Sequence, residues 1–166
     1  MTLRNGARVR VRLLRSGEEW PIRDLYAHLS ARSRYLRFLS PMPALPDALV
    51  SLLADVDGRR RFAIVAERDS GVRQTIAIAS FAAVDDTTGE VGLAVRDSWQ
   101  SQGLGTRLAA QLLEAAGARG FRRFSAAIDW QNAATRRIID RLGIIVESTL
   151  GSGGIWELAF VRRPSR

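Results

Sequence analysis

The sequence predicts an α+β fold in one domain. Segments with the two-residue alternation of half-buried strands recur along the chain, and segments with apolar residues at helical spacing lie between them. Three strand-like segments in the middle follow one another through short polar turns, which indicates an antiparallel meander. At 166 residues, with no repeat and no linker, the chain has the size of a single domain. We therefore predict one domain over 1–166, with a short tail at about 162–166.

The first half of the chain is predicted to contain one strand and three helices. Apolar and charged residues alternate in "ARVRVRLL", as in a half-buried strand. Ser16 is followed three residues later by Glu19, a capping-box pattern that predicts the start of a helix. Ser30 and Ser33 are candidate caps for the next helix. The predicted elements are a strand over 7–14, helices over about 16–29, about 30–39 and about 47–54, and a proline-rich loop over 41–46.

The second half is predicted to begin with the meander and to continue with alternating helices and strands. Leu104, Leu108 and Leu112 lie at helical spacing, and Gly117 and Gly120 are expected to end that helix. The predicted strands cover 61–68, 74–84, 90–95, 122–129, 144–150 and 155–160, with a turn at 70–71, a second helix over 132–142 that Gly143 stops, and a final hairpin around 151–154.

The charge is strongly positive. The formal net charge is +8, and all 25 basic residues are arginine, since the sequence contains no lysine. Such a balance is compatible with nucleic acid, a membrane surface or a phosphorylated ligand, and also with the codon bias of a GC-rich genome. Because the arginines are scattered rather than clustered, we favour codon bias together with a phosphate-bearing ligand over nucleic-acid binding. Without lysine the P-loop motif cannot form, so the chain is not a P-loop nucleoside triphosphatase.

Other classes of protein are also disfavoured. The chain has no cysteine, which excludes disulfides, thiolate metal sites and a cysteine nucleophile. Adjacent Asp85 and Asp86 have no third ligand nearby in the pattern, so we expect no metal site. No run of about 18 apolar residues is present, and the basic start lacks an apolar signal core. We therefore expect no membrane association and a cytoplasmic location.

The segment "SWQSQGLGTRL" presents the clearest functional pattern. A helix start carries unpaired N–H groups and partial positive charge, so it attracts anions. In Gln100–Gly105, glycines stand where a capping side chain is usual, and they let a ligand approach the backbone. The loop either cradles a phosphate or only allows strand and helix to pack closely. A dinucleotide-binding fingerprint is disfavoured, because Leu108 stands where its third glycine belongs.

This segment resembles the acetyl-CoA signature of the GCN5-related N-acetyltransferases (GNAT): the strand "VGLAV", then Gln100-x-x-Gly103-x-Gly105 and an amphipathic helix. Asn132 followed by "AATRRIIDRLG" is similar to the second cofactor segment of that family. "LSARSRYLRFLSPMP" and "GEVGLAVRDSWQSQGLG" are most similar to the acetyltransferase domain of bacterial protein lysine acetyltransferases of the Pat type. The resemblance implies a three-layer fold, with a central, mostly antiparallel mixed sheet of about seven strands between helices.

The resemblance also implies a cofactor site. Main-chain amides of the glycine turn would bind the pyrophosphate of coenzyme A, and the preceding strand would pair with its pantetheine arm. One N–H group of this strand would polarise the thioester carbonyl. Asn132 would meet the pantetheine, although its ordinary role is that of a helix N-cap, and both roles are compatible. The implied cofactor-binding residues are Leu93, Ala94, Val95, Gln100, Ser101, Gln102, Gly103, Leu104, Gly105, Thr106 and Asn132.

The implied reaction needs a base. Lysine, with a pKa of about 10.4, is neutral in roughly one molecule in a few thousand at pH 7, so removal of its proton assists the transfer. Glu90 begins the strand that leads to the glycine turn and occupies the position of a catalytic glutamate in Pat-type enzymes; alternatively it is a solvated turn residue. Many family members have a tyrosine seven residues after the asparagine as general acid. Here that position is Ile139, which cannot donate a proton.

We expect an acetyl-CoA-dependent N-acetyltransferase that transfers the acetyl group directly to a primary amine in a ternary complex. By resemblance the acceptor is a protein lysine, and a small-molecule amine is the alternative. A non-catalytic acyl-CoA-binding module and an arginine-rich nucleic-acid binder on the same fold are the alternatives of another class. The length of the acyl group, formation of a homodimer and regulation by another chain stay open.

Overall fold

The computed structural model describes residues 1–69 and 72–163, and these contain five α-helices and seven strands. The helices are α1 (Trp20–Ala27), α2 (Ala31–Phe38), α3 (Asp47–Ala54), α4 (Leu104–Ala118) and α5 (Ala133–Leu142). The strands are β1 (Val9–Leu13), β2 (Arg61–Arg68), β3 (Thr75–Ala83), β4 (Thr88–Val95), β5 (Arg123–Asp129), β6 (Gly143–Leu150) and β7 (Ile155–Arg162). The predicted order of helices and strands is confirmed. The predicted turn at 70–71 and residues 164–166 of the predicted tail lie outside the described residues.

The strands form one sheet in the order β1-β2-β3-β4-β5-β7-β6. All neighbouring pairs are antiparallel except β4 and β5, which are parallel. The connection between these two strands contains α4, as a parallel crossover requires. The predicted mixed, mostly antiparallel sheet of seven strands is therefore confirmed.

The helices cover both faces of the sheet, because apolar residues alternate along the central strands. In β2, Phe62 and Ile64 join the core cluster that contains Leu108 of α4, whereas Ala63 and Val65 join the cluster beneath α1 and α3. Successive residues of a strand point to opposite faces, so one strand contributes to both cores. The result is three layers: α1, α2 and α3, then the sheet, then α4 and α5.

The predicted capping box at the start of α1 is wrong. The helix begins at Trp20, with Glu19 at the N-cap position and no side-chain cap. The Glu19 carboxylate accepts instead from the Arg23 guanidinium at 2.8 Å and from the Ser51 hydroxyl at 2.8 Å. Hydrogen bonds to a guanidinium are stronger than those to a neutral N–H, and Pro21, in the first turn, has no N–H to be capped.

The other predicted helix ends agree closely with the structure. Ser30 Oγ caps α2 by accepting from Ser33 N at 3.1 Å. The helix α4 continues through Gly117 to Ala118, and Gly120 follows with φ +98°. Within the described ranges, no helix has both the length and the apolar character needed to cross a membrane.

Candidate active site at the split in the sheet

The sheet opens between β4 and β5. These two strands pair only at Thr88–Glu90 of β4, where the last pair is Glu90 with Ser125. From Val91 to Val95 the strand β4 still pairs with β3 but no longer with β5. Glu90, the candidate base, therefore lies at the apex of the split.

The open edge of β4 presents main-chain groups of alternate residues. Arg96 N donates to Ile76 O, so the even-numbered residues of this ladder bond with β3 and the odd-numbered ones face the split. Leu93 and Val95, both predicted to bind the cofactor, thus direct N–H and C=O groups at the opening. Ala94 directs its main-chain groups at β3, so it contributes only part of the wall.

The glycine turn that follows presents a row of free donors. Within the described part of the chain, the main-chain N–H groups from Ser101 to Thr106 donate to no acceptor, and α4 has no side-chain cap. Ser101 has φ +61° and Gly103 has φ +82°, both in the left-handed region. Left-handed residues between right-handed ones turn successive N–H groups to one side, which forms an anion-binding concavity. For a serine this conformation is uncommon, and it is consistent with a functional constraint.

Two glutamine side chains stabilise this turn from outside. Gln100 Nε2 donates to Val95 O at 3.0 Å and to Ser33 Oγ at 3.2 Å, and Gln102 Nε2 donates to Ser98 O at 3.0 Å. Both were predicted to bind the cofactor. In the structure the amide NH2 groups of both donate within the protein, and Gln102 Oε1 accepts from Asn5 Nδ2 at 2.6 Å.

Asp97 joins the turn to α2. Its carboxylate accepts from Ser30 N at 2.9 Å, Ser30 Oγ at 2.7 Å and Ser33 Oγ at 2.8 Å. Burial tends to raise the pKa of Asp97, but the hydrogen bonds from Ser30 and Ser33 outweigh it and lower the pKa below its usual value. An ionised Asp97 thus fixes the start of α2 beside the glycine turn.

An arginine-rich cleft of about 850 Å³, here called the outer cleft, contains the open edge of β4, the glycine turn and the start of α5. None of the described residues that line it is acidic. Four of its six arginines make no hydrogen bond or ion pair with any described residue: Arg4, Arg32, Arg137 and Arg141. Uncompensated guanidinium groups around free amides give a site for a ligand that carries several phosphates.

The outer cleft leads into a smaller space of about 360 Å³, here called the inner cavity. Both are lined by Arg37, Leu93, Asn132 and Ile138, so the two are continuous. The inner cavity passes through the split, from Glu90 on the α2 side of the sheet to the core beneath α4 and α5.

Glu90 is exposed and shares its end of the inner cavity with Arg37 of α2. Arg37 Nη2 donates to Ser80 Oγ at 3.1 Å, and the guanidinium lies directly against β4. A Cβ at Gly92 would be 2.6 Å from Arg37 Nη2, so only glycine allows this approach. Burial lowers the pKa of Arg37 from its usual value, and the negative charge of Glu90 opposes that effect. A carboxylate and a guanidinium therefore face the same opening.

Asn132 lies where the two spaces join. It is buried, and its Oδ1 accepts from Thr135 N at 3.1 Å, so the predicted cap of α5 is present. Its side-chain NH2 has no acceptor among the described residues. Ile139, about two turns further along the helix, is buried and lines the inner cavity. Asn132 thus combines the cap with a free donor that is directed at the cleft.

Sequence reasoning missed Arg37, and it did not predict the contact that Tyr35 makes. Arg37 was not singled out among 25 arginines, although Gly92 inside a strand was a usable signal of close approach. Tyr35 Oη donates to Asp129 Oδ2 at 3.3 Å, which joins α2 to the end of β5 across the split. Through these two residues α2 forms one wall of the site. Their contacts with β3 and β5 depend entirely on the tertiary fold.

The model of the acetyltransferase (GNAT) family matches residues 20–144. The chain therefore belongs to the acetyltransferase (GNAT) family, and the expectation of a GNAT acetyltransferase that uses acetyl-CoA is confirmed at the level of the family.

Two curated relatives are bacterial acetyltransferases. Acetyltransferase PA5475 of Pseudomonas aeruginosa is 28% identical over 146 residues, which cover 87% of this chain and 78% of that protein. Acetyltransferase Pat of Mycolicibacterium smegmatis is 34% identical over 125 residues, which cover 74% of this chain and 37% of Pat. The chain thus matches most of PA5475 but little more than a third of Pat.

Solved structures agree with the fold. The GNAT domain of S. lividans PAT is 24% identical and has a TM-score of 0.83, with 97% of this chain and 94% of that chain covered. The structure of yncA from Salmonella typhimurium with its cofactor acetyl-CoA is 21% identical and has a TM-score of 0.66, with 93% and 92% covered. The predicted three-layer, GNAT-like fold is confirmed.

Proposed function

We propose that this acetyltransferase binds coenzyme A in the outer cleft and transfers an acetyl group to a primary amine that enters beside Glu90. The observation that carries the proposal is the row of free amides from Ser101 to Thr106, at the end of a strand whose other edge is open. The yncA structure holds acetyl-CoA on the same fold, which supports this assignment.

The cleft matches coenzyme A in charge and in shape. The pyrophosphate would accept from the free amides, at the positive end of α4. The arginines of the outer cleft would neutralise the phosphates, since each forms charge-assisted hydrogen bonds with an anion. The pantetheine amides would pair with the main chain of Leu93 and with the N–H of Val95, whose C=O already accepts from Gln100, as an added strand pairs with a sheet edge. Asn132 would donate its free NH2 to the same arm.

The residues around the apex of the split would carry out the transfer. Leu93 N–H would donate to the thioester carbonyl oxygen and stabilise the negative charge that develops there. The Glu90 carboxylate would accept a proton from the attacking amine, directly or through one water. The new bond joins the amine nitrogen to the acetyl carbon, and the bond between that carbon and sulfur breaks.

Position 139 is isoleucine, whose side chain cannot protonate the departing sulfur. A thiol has a pKa of about 8.5, so the thiolate leaves readily and takes its proton from water or from the ammonium form of the amine. The mechanism therefore assigns one general base, Glu90, and no dedicated general acid.

We propose a protein lysine as the acceptor, with a small-molecule amine as the alternative. The similarity to Acetyltransferase Pat supports the first choice, although the chain covers only 37% of that protein. The 166 residues contain no lysine, so the ε-amine must come from outside them. The chain itself therefore contributes no acetylated lysine to an assay with labelled acetyl-CoA.

The test is a panel of proteins and small amines incubated with labelled acetyl-CoA, followed by kinetics on the acceptor that is found. Glu90→Gln should lower kcat at least tenfold, because removal of a general base typically costs about 10²–10⁴-fold. CoA affinity by calorimetry should stay unchanged. Glu114→Gln, at an exposed position on α4, is the matched control and should retain full activity. Unchanged kcat in Glu90→Gln would show that Glu90 is not the base.

A further inference from the structure

We propose that the inner cavity is an acyl-chain pocket, and that this enzyme accepts straight-chain acyl-CoA donors of about four to six carbons in addition to acetyl-CoA. The proposal rests on the proposed function, because it assumes that coenzyme A lies in the outer cleft. It adds the chemical class of the donor.

The position of the inner cavity is the first support. A thioester at the apex of the split would have Glu90 on the α2 side of the sheet and the apolar end of the inner cavity on the other side. The cavity continues from Leu93 to Leu112 of α4 and to Leu142 and Phe160, all of which line it. An acyl chain would thus extend away from the attacking amine, and its length would not obstruct the acceptor.

The chemistry of the walls is the second support. Beyond the apex the lining is aliphatic or aromatic apart from Asn132 and Thr135 at the start of α5, and Leu112, Ile139 and Phe160 are each at most 5% exposed. No charged residue lines this end in the described part of the chain; Arg37 and Glu90 are both at the other end. A chain that ends in a carboxylate would lose its hydration here without gaining a partner, so the pocket favours plain hydrocarbon chains.

The volume is the third support. The inner cavity measures about 360 Å³. A methylene group is close in size to a water molecule, which occupies about 30 Å³ in the liquid. Four additional methylenes therefore require roughly 120 Å³, well within the cavity. An acetyl group alone, with its single methyl, would leave the apolar end of this cavity without ligand contacts.

The test is calorimetric titration of the protein with CoA and with acetyl-, butyryl-, hexanoyl- and succinyl-CoA, without acceptor. Burial of a methylene corresponds to an affinity gain of about fourfold, so butyryl- and hexanoyl-CoA should bind progressively tighter than acetyl-CoA. Succinyl-CoA should bind more weakly than butyryl-CoA, which has the same number of carbons. With an amine acceptor, kcat/KM for butyryl-CoA should equal or exceed that for acetyl-CoA.

Substitutions in the cavity wall test whether the inner cavity causes the dependence of affinity on chain length. Ile139→Phe adds bulk to the wall and should abolish the gain with chain length, while acetyl-CoA affinity stays within about threefold. Ala109→Leu, which narrows the same cavity from α4, is a second variant in case the first does not fold, as judged by its melting curve. Ile144→Phe is the matched control: Ile144 is 45% exposed on β6 and should behave as the wild type.

Two outcomes separate this proposal from the one before it. If acetyl-CoA binds but butyryl-CoA binds no tighter, or if Ile139→Phe and Ala109→Leu leave the dependence on chain length intact, the acyl-chain pocket is wrong and the acetyltransferase site stands. If neither CoA nor acetyl-CoA binds, the proposed site itself is overturned.

Discussion

Gly105 lines the outer cleft beside Leu93 and Val95 of β4, and its replacement tests the proposed path of the pantetheine arm. An added Cβ would be 3.3 Å from Leu93 Cδ2, 3.4 Å from Ile138 Cδ1 and 3.5 Å from Val95 Cγ2. A methyl group therefore fits in close contact with all three side chains. A larger side chain does not fit without moving them or entering the cleft.

The expected magnitudes follow from these distances. For Gly105→Ala, the gain in helix propensity is at most about 1 kcal/mol and is offset by the close contacts, so we expect little change in stability. For Gly105→Val, overpacking should cost about 1–3 kcal/mol of unfolding free energy. In a chain of this size that corresponds to a fall in Tm of about 2–4 °C for each kcal/mol. The valine should also weaken CoA binding at least tenfold, because its methyl groups occupy the edge with which the pantetheine would pair.

The assay compares two ligands. CoA carries the pantetheine arm and 3′,5′-ADP does not, so Gly105→Val should impair binding of CoA while binding of 3′,5′-ADP stays within about twofold. Gly117→Ala is the matched control, because it lies in the same helix and a Cβ there would contact only Arg162 Nη1 at 3.8 Å. It should raise stability by about 0.5–1 kcal/mol without affecting either ligand. Wild-type CoA affinity in a folded Gly105→Val protein would refute the proposed path.

Two further predictions concern residues whose environments are well defined. Arg12→Met should cost about 1.5–3 kcal/mol at neutral pH, measured by denaturant unfolding, because the 2% exposed Glu67 carboxylate loses its shortest ion pair and is left with Arg10 at 3.4 Å and Arg73 at 3.5 Å. Arg10→Met, whose guanidinium is 68% exposed, should cost under about 1 kcal/mol. Arg12 lowers the pKa of Glu67 below 4.5, so the stability that the pair contributes is complete above that pH and is lost as the pH falls through the lowered value. The difference in unfolding free energy between the wild type and Arg12→Met should therefore shrink in acid, and a constant difference would contradict this reasoning. Gly92→Ala should lower the unfolding free energy by about 1–3 kcal/mol, since its Cβ would be 2.6 Å from Arg37 Nη2 and 2.9 Å from Ser80 Oγ, and should lower kcat several-fold in steady-state kinetics by moving that guanidinium; normal kcat would show that the position of Arg37 is unimportant.

The order of elements could be predicted from the sequence because it depends on local signals. Period-two alternation fixed the strands, and glycines such as Gly143 fixed helix ends. The start of α1 could not be predicted, because the Glu19 carboxylate bonds with Ser51, which is distant in sequence and comes close only in the folded chain. The charged Arg23 guanidinium and the Ser51 hydroxyl, both outside the capping box, thus bind the Glu19 carboxylate instead.

In the candidate site, too, features that depend on local sequence were predicted and features that depend on the tertiary fold were not. The glycine turn and Asn132 are contiguous patterns, so the sequence was sufficient to propose them. The divergence of β4 from β5 could not be predicted from the sequence, because the segment from Val91 to Val95 has the same pattern as any half-buried strand. The free arginines of the outer cleft were hidden for another reason: Arg4, Arg32 and Arg137 come from three separate segments, and only the fold brings them to one cleft.

The open edge of β4 has a consequence for the energetics of the whole domain. If a thioester carrier pairs with Leu93 and Val95, it supplies the hydrogen bonds that a neighbouring strand supplies elsewhere in the sheet, and so it acts as a removable eighth strand. A ligand that binds only the native state at one hundred times its Kd adds about 2.7 kcal/mol to the unfolding free energy. The resistance of this protein to heat and to proteolysis would then increase and decrease with the concentration of acyl-CoA, and so would its lifetime.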